Sequence, residues 1–120
     1  MNEEMVGIGV DLCAWERVPE FNREHPFFRF LSEEEVLFCL SRPDPRPSLA
    51  ARFAAREALL KALNGFAPWM NEIKIIIDES GAPSFTGSIP DDVVLHLSLA
   101  HDAGIAVAIV IVERKAVDAQ

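Results

Sequence analysis

The stretch from Ser48 to Leu63, SLAARFAAREALLKAL, is rich in alanine and leucine, follows a proline-rich segment and stops at Asn64-Gly65. It predicts one long helix in the middle of the chain, with Phe53, Leu59, Leu60 and Leu63 as its buried face. The flanking segments have a different periodicity. Residues 5–12, MVGIGVDL, read as a short buried strand with close backbone approach at its glycines and a turn at Asp11. Trp15, Val18 and Phe21 recur at spacing three and suggest an apolar helical stripe, which Pro19 keeps short or broken. Ser32 followed by Glu35 is a capping-box signature that opens a helix with an acidic first turn, ending near Leu40. SRPDPRPS, residues 41–48, reads as a rigid surface loop.

Beyond the central helix the pattern turns to strands. EIKIIIDESGAPSF predicts a hairpin turning at DESG, and DVVLHLSLA with GIAVAIVIVE predicts a second around HDA, before KAVDAQ, a loose tail. One strand, then helices, then four strands in two hairpins is the order of an α+β domain. A mostly antiparallel sheet should pack one face on the long central helix, with residues 1–120 forming a single domain.

Composition narrows the function classes. With 120 residues, half of them hydrophobic, the chain can bury a core without disulfides or a structural metal. Cys13 and Cys39 lie far apart with no CxxC pattern and read as buried reduced thiols. No long apolar run and no secretory leader appear, so the expectation is a soluble cytoplasmic protein without membrane association. A net charge of −8 argues against nucleic acid as the main partner. Yet eight of the eleven basic residues (Arg17, Arg23, Arg29, Arg42, Arg46, Arg52, Arg56, Lys61) crowd between positions 17 and 61. They form either an ordinary solvated surface or a patch for an anionic ligand or acidic protein.

Three places carry candidate chemistry. Asp11 closes an apolar strand, where a carboxylate must be paired, bonded or bound to a cation; it reads either as a cap for the next helix or as a ligand. Glu57 and Lys61 stand one helical turn apart, either as a surface pair or, in so apolar a helix, as part of a site. Two carboxylates with phosphate oxygens and water suit a hard divalent cation such as magnesium, and Asp11, Glu57 and Lys61 together suit a diphosphate-bearing substrate. His101 falls at the expected hairpin tip as a solvated or functional histidine, and His96 as an ordinary strand residue.

Taken in order, GIGVDLCAWERV, RFAAREALLKAL and LHLSLAHDAGIAVAIVIVE resemble the small 4′-phosphopantetheinyl transferases of the holo-acyl-carrier-protein synthase type. The resemblance covers most of the chain and implies that fold. It also implies transfer of phosphopantetheine from coenzyme A to a serine of an apo acyl carrier protein. It implies that Asp11 and Glu57 hold magnesium against the diphosphate and that Lys61 neutralises the transferring phosphoryl; Glu57, acting directly or through a metal-bound water, is the group chosen here to take the serine proton. Arg52 and His101 match positions lining the coenzyme A cleft, Arg17 matches an arginine that meets the acidic carrier, and chains of this length resemble one another in forming homotrimers. Three departures stand out: Arg56 where lysine is usual, Ala100 in place of the second serine of the hairpin motif, and a shortened segment after Leu63. A non-catalytic relative that only docks carrier proteins is the alternative, and a hydrolase of nucleotide diphosphates is a third.

Overall fold

The computed structural model describes residues 3–115. Its elements are β1 (Glu3–Ala14), α1 (Pro26–Arg29), α2 (Glu33–Leu40), α3 (Arg46–Leu63), β2 (Ile73–Ile77), β3 (Pro83–Gly87), β4 (Val93–Asp102) and β5 (Ile105–Lys115). The loose tail expected for KAVDAQ lies outside the described residues except for Lys115, which closes β5.

Helix α3 starts two residues before Ser48, so the proline-rich loop is shorter than expected. Proline is tolerated in a first helical turn, where its missing N–H has no intrahelical partner to lose, and Pro47 sits there. Pro45 stands at the cap position, and Asp44 before it accepts from the Arg46 N–H through Oδ1 at 3.1 Å. At the other end Asn64 adopts the left-handed conformation (φ 58°), and the Gly65 N–H closes on the Leu60 carbonyl.

The buried face of α3 differs from the expected one. Of the four residues assigned to it only Leu59 is fully buried; the rest of the face is Leu49, Arg52 and a row of alanines (50, 51, 54, 55, 58 and 62). Small residues are there because β1 lies directly on the helix backbone. A Cβ added to Gly7 would fall 1.9 Å from the Ala62 carbonyl oxygen, and one added to Gly9 would fall 2.0 Å from that of Ala58. Only glycine permits that approach, which brings the strand to the helix without intervening side chains.

All strand pairs are antiparallel, but the one sheet expected is two: β1-β5-β4, which packs on α3, and a separate β2-β3 hairpin. Between β3 and β4 the chain passes through Gly87 (φ 126°) and Pro90, and no ladder joins the two strands. The outer edge of β2 is turned to α2 instead, where the Ile75 N–H donates to Glu35 Oε2 and Lys74 pairs with Glu34.

The second hairpin turns tightly. Ala103 (φ 50°) and Gly104 (φ 77°) form its two-residue tip, so His101 and Asp102 belong to β4 rather than to the loop. Only a single 3-10 turn, Trp15–Arg17, realises the helix expected after the first strand. The capping box at Ser32 and Glu35 is formed as read. Cys13 and Cys39 are both free and buried.

Candidate functional site

Asp11 does not end its strand. It stands three residues inside β1, paired with Ala108 of β5, so the reading of Asp11 as a helix cap is corrected. Gly7, Gly9, Asp11 and Cys13 share the face of β1 turned to α3. Gly7 lies against Ala62 and Gly9 against Ala58, so each pair of strand residues steps back about one helical turn. By that stepping Asp11 comes level with Ala54, three residues before Glu57.

Lys61 ties the two elements together. Its Nζ donates to Asp11 Oδ1 at 2.9 Å and to the Val10 carbonyl at 3.1 Å, across 50 residues of sequence. The Asp11 side chain is 19% exposed and Lys61 57%, so the carboxylate is sheltered while the ammonium reaches it from solvent. Glu57, one turn before Lys61 on the same stripe, is partly buried and borders a cavity of about 190 Å³ lined mainly by Phe27, Phe30, Phe53, Leu60, Phe66 and Met70. Among the described residues no three His, Cys, Asp or Glu side chains cluster. Asp11 on β1 and Glu57 on α3 are hard oxygen donors of the type that magnesium takes together with substrate oxygens and water.

His101 is on the same sheet face as Asp11. Leu99 and Asp11 both flank Ala108, and His101 and Cys13 both flank Ala106, so the imidazole lies two strands across and one pair further along. Its ring rests 5.7 Å from that of Trp15 and is exposed. Arg17 is exposed as well, its guanidinium 5.8 Å from the ring of Phe53, one helical turn before Glu57.

Arg52, expected at the coenzyme A cleft, lines the cavity that Glu57 borders and is also held within the protomer. It is 4% exposed, with Nε 3.2 Å from Glu35 Oε2 at an angle that makes an ion pair without a hydrogen bond, and its guanidinium lies over Phe38. Glu35 is equally buried and works three ways: it closes the cap on the Ser32 N–H, accepts from the Ile75 N–H and neutralises Arg52. The sequence marked Glu35 only as a cap residue, because its partners on α3 and β2 lie 17 and 40 positions away.

Arg56 also escaped the sequence reading except as a departure. Its Nη2 donates to the Met70 carbonyl at 2.8 Å and reaches Asn71 Oδ1 at 3.3 Å, while the guanidinium lies 4.3 Å over Phe30. Burial lowers its pKa, and the negative charges of Glu35 and Glu57 oppose that shift.

Residues 7–110 match the family described as the 4′-phosphopantetheinyl transferase superfamily. The chain is 38% identical over 116 residues to a holo-[acyl-carrier-protein] synthase of Pelodictyon phaeoclathratiforme, covering 88% of this chain and 97% of that one. It is 34% identical over 118 residues to the synthase of Halalkalibacterium halodurans, covering 92% and 97%. Among solved structures, a holo-(acyl-carrier-protein) synthase of Bacillus anthracis in complex with CoA (3′,5′-ADP) superposes with a TM-score of 0.77 at 28% identity, over 92% of this chain and 98% of that one. The Helicobacter pylori synthase in complex with coenzyme A gives 0.70 at 33%, over 88% and 98%.

Proposed function

The chain belongs to the 4′-phosphopantetheinyl transferase superfamily, as a holo-[acyl-carrier-protein] synthase, and on that premise we propose a mechanism in which Asp11, Glu57 and Lys61 transfer phosphopantetheine from coenzyme A to a carrier-protein serine. The observation that supports it is the Lys61 bridge, which joins Asp11 of β1 to the helical stripe bearing Glu57. The serine oxygen forms a bond to the β-phosphorus as the bond from that phosphorus to the bridging oxygen breaks, releasing adenosine 3′,5′-bisphosphate. Glu57 borders the cavity and is the base that takes the serine proton. Lys61, on a flexible four-carbon stem, turns its ammonium from Asp11 to the charge that builds on the transferring phosphoryl.

Asp11 and Glu57 would hold magnesium, which when bound supplies charge neutralisation for the diphosphate. His101, exposed on the same face, contacts the nucleotide end of coenzyme A. Arg17 meets an acidic helix of the carrier and, being one turn from Glu57 on the side of Phe53, leads the serine toward the base.

The proposal extends to assembly. The face of the three-stranded sheet turned away from α3 exposes Ile8, Val10 and Leu12 of β1 beside Ile105 and Ile109 of β5. A contiguous apolar sheet face of this kind is covered in a homotrimer. Among the described residues no helix is long and apolar enough to cross a membrane, and the proposal places the protein in the cytoplasm.

The test is the intact mass of an apo carrier protein after incubation with coenzyme A and magnesium. A gain of one phosphopantetheine that Asp11→Ala, Glu57→Ala or a chelator abolishes supports the reading. Carrier binding without mass gain refutes it in favour of a docking protein, and coenzyme A consumed without a carrier refutes it in favour of a hydrolase.

A further inference from the structure

The segment 64–72 connects α3 to β2 and supplies Phe66 and Met70 to the wall of the cavity that Glu57 borders. Short as it is, it contains only one 3-10 stretch, Pro68–Glu72, and Phe66 at its start is exposed. The Met70 N–H closes on the Ala67 carbonyl, and the Ala67 N–H lies 3.4 Å from the Met70 sulfur. From α3, the Arg56 side chain bonds to the far end of the segment.

We propose that Arg56 is a positioning residue that clamps segment 66–72 to α3, shaping the cavity beside Glu57, and thereby sets affinity for coenzyme A rather than the rate of transfer. Three contacts define the clamp: the 2.8 Å bond to the Met70 carbonyl, the 3.3 Å bond to Asn71, and the guanidinium carbon 4.3 Å from the centre of the Phe30 ring. Together they pull the α3–β2 segment and the residue after α1 onto one guanidinium, one position before the catalytic Glu57. Nη2 alone makes both hydrogen bonds, while the guanidinium as a whole lies over Phe30. A lysine ammonium could reach the acceptors but would not lay a delocalised guanidinium over Phe30 at the same time. Arg56 lines the cavity itself with its Nη2 committed to Met70 and Asn71, so its removal frees the part of the wall that those residues form. The inference rests on the functional reading above for the identity of the ligand.

The experiment compares wild-type protein with Arg56→Lys and Arg56→Ala by amide hydrogen exchange, by direct titration with coenzyme A in the presence of magnesium, and by steady-state transfer. Exchange is expected to accelerate at amides 66–72 in Arg56→Ala while β1 and β5 stay protected, with Arg56→Lys intermediate. Coenzyme A affinity and KM are expected to weaken about tenfold in Arg56→Ala, equivalent to about 1.4 kcal/mol, with kcat changed less than about twofold. Arg56→Lys retains the fold should Arg56→Ala not. Unchanged exchange at 66–72 in both variants overturns the clamp. A fall in kcat at unchanged KM overturns the assignment to affinity. A wild-type protein that neither binds nor consumes coenzyme A refutes the functional reading and the affinity role, while the exchange comparison still decides the clamp.

Discussion

Replacing Gly9 with alanine perturbs the contact on which both the fold and the site depend. Gly9 has no left-handed φ to protect, so the substitution is opposed by space alone. The new methyl would stand 2.0 Å from the Ala58 carbonyl oxygen and 2.9 Å from the Ala62 nitrogen, both of them helix backbone. Bringing the first contact to about 3 Å requires β1 and α3 to part by about 1 Å, enough for facing atoms to forfeit a quarter to a half of their dispersion well. No side-chain change on α3 relieves a clash with its main chain. The expected cost is about 3 kcal/mol, at the upper end for an overpacked core, or a fall of about 10 °C in Tm for a domain of this size. Activity should suffer beyond the stability loss. Asp11 lies two residues along the same strand, and any parting of strand and helix draws it from Lys61 and Glu57. Thermal denaturation by circular dichroism, with the carrier mass assay run well below the variant's Tm, measures both effects. A Gly9→Ala protein with wild-type Tm and wild-type transfer would refute the close strand-helix contact and the site built on it.

Removing Glu35 leaves Arg52 charged and buried at 4% exposure, so Glu35→Ala should cost about 3 to 5 kcal/mol, read by urea denaturation; a loss below about 1 kcal/mol contradicts the buried pair. Burial raises the thiol pKa of Cys13 and Cys39 above the ordinary value, so the folded state keeps protons the unfolded state releases. The stability this gives is complete below the unfolded thiol pKa and declines as pH rises past it; Tm should fall above about pH 8.5, and less steeply in Cys13→Ala/Cys39→Ala. Equal slopes in the two proteins would reject the assignment. Ile109→Asp places a charge in the middle of the apolar sheet face and should lower the mass seen by light scattering to that of a single chain; a wild-type protein already monomeric at micromolar concentration rules out the trimer.

The local signals were legible because each depends on a few neighbouring residues. The α3 run with its Asn64-Gly65 stop, the Ser32–Glu35 box and the alternating strands of both hairpins all appear where the sequence places them. Boundaries slipped where backbone chemistry overrode composition, as at Pro47, which entered the helix, and His101, which joined a strand once Ala103 and Gly104 made the turn. The chain also reads as carrying two acids and a lysine suited to a diphosphate, since residue type alone sets what an oxygen or an ammonium can bind.

What the sequence could not supply was distance. Glycine at 7 and 9 was visible as an invitation to close approach, but only packing showed that the approaching surface is the carbonyl row of α3, facing alanines rather than the expected Phe53, Leu60 and Leu63. That contact carries Asp11 to Lys61 across 50 residues, buries Arg52 against Glu35 and sets Arg56 on the segment beyond the helix. Helical and strand periodicity are written into each segment by its own side chains, whereas the meeting of segments far apart in the chain is decided by which faces can exclude water together.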